Sequence, residues 1–216
     1  MKMEPRDFSS KKRYVAAIII GTAVFLLVFG LSYSLSYLEL KRVSGLQDDS
    51  SYAIFEDRLS YSFFNESICA GATLQEVTRD LGFQGRIMDD LERKLGKHDP
   101  VVLARKKFYV LVELEHMEFV NLLNERCNGQ VNTILFFYSN SESKIEAAEE
   151  AGRILGVAHG RNQNLVIYSF DVDLDSEIVK KLKAKYDITG SNVAVINEAV
   201  SLQLPANILE IEEHFY

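Results

Sequence analysis

The chain has only two cysteines, Cys69 and Cys127, and none follows Cys127. Dithiol exchange needs a thiolate attacker and a second thiol to resolve the mixed disulfide, so residues 128–216 cannot perform it unaided. A cationic body is also lacking. The net charge is -7, yet residues 1–13 carry Lys2, Arg6, Lys11, Lys12 and Arg13 against Glu4 and Asp7, which leaves the remainder more acidic still. General nucleic-acid binding requires a cationic face that displaces counterions from phosphate, so nucleic acid is excluded as a partner. Metal-ligand spacing is missing among His98, His116, His159 and His214, and "DVDLD" (Asp171–Asp175) lacks the glycine and terminal glutamate of an EF-hand at the needed offsets. No metal or cofactor is expected. Asp171, Asp173 and Asp175 read instead as caps for the following helix and as solvated groups at a strand end, and His116, within an apolar helix, as a satisfied helix histidine.

Charge is absent altogether from Tyr14 to Leu38, a run of 25 residues. At about 1.5 Å per residue such a helix exceeds the ~30 Å hydrocarbon core of a bilayer. It reads as a transmembrane helix, residues 14–38, with the lipid bilayer as its first partner. The run is longer than the roughly 7 to 15 apolar residues of a signal-peptide core, and no small-x-small cleavage site follows, so the span is expected to stay as an anchor. Five basic residues precede it and only Lys41 and Arg42 follow closely. The positive-inside bias then places residues 1–13 in the cytoplasm as a short basic tail, and residues 39–216 outside a cell membrane crossed once. Asn65-Glu66-Ser67 is a glycosylation sequon on that outer side.

Residues 39–129 read as helical. Leu38 to Ser67 mixes charged with apolar residues and suggests an extension of the anchor broken near Gly45, then a second short helix. Thr73-x-x-Glu76 is a capping box, and Leu74, Val77, Leu81, Gln84, Met88, Leu91 and Leu95 recur at 3-4 spacing along one seam. Gly96 ends that helix. Asp99-Pro100 supplies an N-cap and a proline at the first helical position, where its missing N–H costs nothing. Neither glycine nor proline recurs before Cys127, so the next helix is expected to run that far and to form an antiparallel hairpin turning near Lys97. Cys69 lies 28 residues before that turn and Cys127 30 after it, which brings both thiols to the same end of the hairpin. A bridge there closes a loop worth about 4 kcal/mol in chain entropy and persists in an oxidising exterior, the alternative being two buried free thiols. Gln84, Glu115 and His116 interrupt the apolar seams, where polar residues can fix register. The second helix is apolar around much of its circumference, which implies burial on more than one side, against a sheet, the Tyr52–Phe64 helix or another subunit.

From Gln130 the period changes. "NTILFFYS" is a short apolar run suited to a strand covered on both faces. A helix follows with Ile145, Ala148, Gly152 and Leu155 on its inner side, then a strand "NLVIYSFDVD", a helix "DSEIVKKLKAKY" capped by Asp175 or Ser176, two short strands "NVAVIN" and "AVSLQ", and a closing helix "PANILEIEEHFY". The order is β-α-β-α-β-β-α, an α/β fold. A βαβ crossover makes its strands parallel, and strands joined by a short turn are antiparallel.

That order, over residues 130–216, resembles the thioredoxin-like superfamily. The family places Cys-x-x-Cys where the first strand meets its helix and a cis-proline before the third strand. Here the cysteine positions fall on Glu142 and Ile145, or on Ile145 and Ala148, and the proline position on Asn192, so the resemblance is to a degenerate member without the dithiol. The helical region resembles membrane-anchored thioredoxin-like proteins of archaea. The resemblance implies a groove beside the third strand, where an extended peptide pairs with backbone groups, bordered by Ser139, Ser141 and Ser143 and by Gly190–Val193 with Asn192. A catalytic residue is not expected, since the serines have no base within reach in the sequence pattern. The expectation is a membrane-anchored, extracytoplasmic binding or scaffold protein with a protein or peptide partner. The alternatives are a thiol oxidoreductase or redox sensor using Cys69 and Cys127, beside Arg126, and an obligate subunit of a membrane complex or oligomer.

Overall fold

A computed structural model describes residues 12–38, 74–127, 130–204 and 207–216, with the side chains of 74–77 and 80 left aside. Cys69, Asn65 and residues 39–67 of the short helices expected over 38–67 lie outside these residues. The chain divides into two units, residues 1–48 and 49–216.

In the first unit, helix α1 spans Lys12–Leu38 and is long and apolar enough to cross a membrane. Its apolar side chains are exposed all round. Tyr14 lies at one end and Tyr33 and Tyr37 near the other, the depths at which amphipathic rings favour a bilayer interface.

The second unit opens with α2 (Leu74–Leu95) and α3 (Pro100–Cys127). Gly96 ends α2 with φ +93°, a left-handed conformation that glycine adopts without penalty, and the Asp99 carboxylate accepts from Val101 N–H at 2.8 Å to start α3. The two helices run antiparallel: Glu92 meets Lys106, Gly85 meets Tyr109, and Thr78 meets His116. A Cβ at Gly85 would come within 3.1 Å of the Tyr109 hydroxyl, so the helices approach closely there. Leu81, Gln84, Met88 and Leu91 of the expected seam are buried.

Strand β1 (Asn132–Tyr138), helix α4 (Ile145–Arg161), strand β2 (Leu165–Asp171), helix α5 (Glu177–Lys185), strands β3 (Val193–Ile196) and β4 (Val200–Gln203) and helix α6 (Ile208–Glu212) complete the chain. They form a mixed four-stranded sheet ordered β2-β1-β3-β4. β1 and β2 are parallel, with Ile134 opposite Ile167, while β3 is antiparallel to both of its neighbours. β1 is apolar from Ile134 to Phe137, and both its faces are covered. Leu135, Phe137, Val166, Tyr168 and Phe170 point to one core, shared with α3 and α5; Ile134, Phe136, Leu165, Ala194 and Ile196 point to the other, shared with α4 and α6. The hairpin therefore belongs to the sheet's own core, so a division at residue 130 follows chain order and not packing. The breadth of the apolar surface on α3 is explained by its place between α2 and the sheet.

Two local readings shift. The inner face of α4 is Ala148, Ala151, Leu155 and Ala158; Ile145 is half-buried and Gly152 is exposed. Small side chains suffice there because Ile134, Phe136 and Leu165 fill the layer from the sheet side. Ser176 takes the N-cap position of α5 without a side-chain bond, and Asp175 pairs instead with Lys180 at 3.0 Å.

The β3–β4 turn carries Asn197 and Glu198 at φ 49° and 55°, closed by Ala199 N–H to the Ile196 carbonyl. Such a turn favours glycine, but these side chains tie distant elements together. Asn197 accepts from Thr133 N–H and donates to Asn132 Oδ1 and the His214 carbonyl. Glu198 accepts from Asn121, Lys185 and Tyr186. Burial pushes the Glu198 carboxyl up, and these three hydrogen bonds outweigh it and hold the group below its ordinary value. Tyr216 N–H also reaches Asn132 Oδ1 at 3.0 Å.

Candidate functional site

The residues singled out by resemblance lie at the end of the sheet where β1 runs into α4. Ser139 Oγ is 2.9 Å from Ser141 Oγ and donates to the Asp173 carboxylate; it also accepts from Ser141 N–H. The Ser141 carbonyl accepts from Lys144 and Ile145 N–H, so this serine turn starts the helix. Ser143 is exposed. Asn192 directly precedes β3, and because Val193 faces Phe137 the register brings it to the same sheet end as Tyr138 and Ser139. No hydrogen bond among the described residues joins Asn192 to the serines. Its backbone is left-handed, φ 61°, its carbonyl accepts from Leu204 N–H and Gln203 Nε2, and its buried Oδ1 has no partner.

Cys127 closes α3 and is disulfide-bonded, not free. Among the described residues no cluster of histidine, cysteine or acidic side chains could hold a metal ion.

A larger feature escaped the sequence reading. A groove of about 1540 Å³ runs between α2 and α4 along the outer edge of β2. Its α4 wall presents Gly152, Gly156 and Gly160, its α2 wall Gly82 and Gly85, and its floor Ile167, Ser169 and Asp171 of the edge strand. Lys106, 5% exposed, bridges Glu92 at 2.6 Å and Asp171 at 3.1 Å, and its ammonium lies 5.7 Å from the Tyr138 ring centre. Asn140 Nδ2 donates to the same Asp171 oxygen at 2.7 Å. Asp171 is therefore not a solvated group at a strand end; it is the buried centre of a network linking hairpin and sheet, because the hairpin delivers a lysine to it.

Further along the groove Glu113, 1% exposed, accepts Ser169 N–H on Oε1 at 2.7 Å, while its Oε2 is buried without a partner. That contact covers one edge amide of β2, which would otherwise lack a ladder partner. Burial pushes the Glu113 carboxyl well above its ordinary range, against the single opposing effect of the Ser169 amide. Tyr109 is raised by burial and then by Glu113 and Asp89; Asp89 is raised first by burial. His116 lies deeper, its Nδ1 2.8 Å from the Tyr168 hydroxyl and its Nε2 3.3 Å from Thr78, and burial lowers it to about 4. Sequence reasoning left Glu113 unmentioned and treated Glu115 as its seam-interrupting neighbour; the one available signal was an acidic residue inside an apolar helix.

No family model matches the chain, and neither a curated protein nor a solved structure matches it.

Proposed function

We propose that this chain is a single-pass, membrane-anchored binding protein whose outward-facing unit is thioredoxin-like and captures an extended peptide without dithiol chemistry. The strand order and the one antiparallel partner of β1 support that fold reading. The basic residues before α1 support an N-terminus in the cytoplasm. The observation that carries the binding role is Asn192, a residue held at positive φ with a buried oxygen left unpartnered at the end of the sheet. Strain and an unmet polar atom persist where the surroundings impose them, and such positions concentrate at binding sites.

Asn192→Gly tests it, because glycine relieves the backbone strain and removes Oδ1. Cross-linking and co-purification of the full chain from its native membrane should lose the partner in this variant while thermal stability is kept or raised. Capture that is unchanged by Asn192→Gly and by Ser141→Ala would overturn the reading.

Cys69 is the proposed partner of Cys127, as a staple on the hairpin. Mass spectrometry with and without reductant tests the pairing. A bond that opens at a mild redox potential, with partner capture changing alongside, favours a redox sensor using the same two residues, next to Arg126.

A further inference from the structure

The three glycines of α4 have no role in the fold. None has positive φ, and a Cβ added at Gly152, Gly156 or Gly160 would meet nothing within 4 Å. Each nevertheless weakens the helix by about 1 kcal/mol relative to alanine. Their shared effect is a bare wall on the groove, facing the edge of β2. Glu113 lines the same groove, and its buried Oε2 has no hydrogen-bond partner. The groups that feel Glu113 are Tyr109 on α3 and Tyr138 and Tyr168 on the strands, with Asp89 of α2 beside Tyr109; all are phenols or acids. Among the described residues no lysine or arginine pairs with Glu113: of the cations that line the groove, Lys106 is committed to Glu92 and Asp171 and Lys97 to Glu149, while Arg79 and Arg86 stand on the α2 wall.

We propose that the groove along β2 is a binding site for an alkylammonium group, whose apolar stem lies against the glycine wall and whose cation pairs with Glu113 Oε2. Leu81, Met88, Val110, Leu155 and Ile167 supply apolar lining for the stem. A buried carboxyl lacking a cation is raised by desolvation, and an arriving ammonium provides the partner that stabilises its ionised form. The chemistry is shared by a free aliphatic amine and by a lysine side chain on an extended peptide. Asn192 does not line the groove, so variants at Glu113 and Asn192 report on different places.

The test is calorimetric titration of the full chain in zwitterionic nanodiscs, with empty nanodiscs as the blank. The probes are n-hexylamine, n-hexanol and the blocked peptide acetyl-Leu-Lys-Leu-amide. Hexylamine should bind about tenfold or more tightly than hexanol, and Glu113→Gln should remove that preference, as expected for a charge-assisted hydrogen bond. Gly156→Leu fills the groove without touching Glu113 and should abolish binding while leaving the fold intact. Peptide binding tighter than hexylamine assigns the site to a lysine side chain, and the reverse assigns it to a free amine. Equal binding of hexanol and hexylamine, or amine binding unaffected by Glu113→Gln or by Gly156→Leu, overturns the proposal.

Discussion

The two faces of the sheet are built differently. On the α4 and α6 side the core is alanine, leucine, isoleucine and phenylalanine, and its order comes from volume and shape. On the hairpin side the apolar core is stitched through by Lys106 between Glu92 and Asp171, by Glu113 on Ser169, and by His116 between Thr78 and Tyr168. Buried polar contacts of this kind add little net stability, but they are costly to break. An apolar face alone would let a two-helix hairpin slide along the sheet. Lys106, Glu113 and His116 each meet one residue of β2, Asp171, Ser169 and Tyr168 in turn, so together they fix a single register for the hairpin on that strand.

The largest effect expected from breaking that arrangement is at Lys106. Lys106→Met leaves the buried Asp171 and the half-buried Glu92 without their cation and should cost about 3–5 kcal/mol in urea denaturation. A loss under about 1 kcal/mol would mean that the network does not hold the hairpin. On the apolar face Leu155→Ala should cost about 2–4 kcal/mol from lost burial and the cavity left behind.

The polar side alone should respond to acid. Folded His116 titrates at about 4 against 6.5 unfolded, so the unfolded chain takes up a proton between those values that the folded chain does not. Its contribution is complete above 6.5 and is lost as pH falls toward 4, amounting to about 2 kcal/mol between pH 7 and pH 5. The stability curve of His116→Gln should be flatter across that window. Glu113 has the opposite sign: its folded value is raised, so its contribution is present below 4.5 and is lost as pH rises through the folded value. The smallest effect is Gly156→Ala, which should stabilise by about 0.5–1 kcal/mol because the position is exposed and helical. Its melting temperature should rise while the Lys106 variant's falls.

The element order, the hairpin and the long apolar helix were legible in the chain because each rests on local periodicity, a cap or a turn residue. The seam of Leu81, Met88 and Leu91 could be read directly from 3-4 spacing. The groove and its charges could not. Lys106 and Asp171 are 65 residues apart and Glu113 and Ser169 are 56 apart, and periodicity assigns a side chain to a face without saying what another element brings to it. The same limit explains α4: its sequence offers both a Gly152 side and an Ala151 side, and only the sheet decides which turns inward. Of the resemblance-derived site residues, Ser139 and Ser141 were found within a turn they build themselves, and Asn192 emerged as the unsatisfied member.

The β3–β4 turn bears on how the protein is made. Its two strained residues are held by partners on β1, α3, α5 and the stretch around residue 214, and Asn132 at the foot of the central strand waits for both Asn197 and Tyr216. In chain order Asn132 precedes Asn197, which fastens it, by 65 residues. A chain cut short of β3 therefore lacks the antiparallel neighbour of β1 and leaves one edge of that apolar strand unpaired.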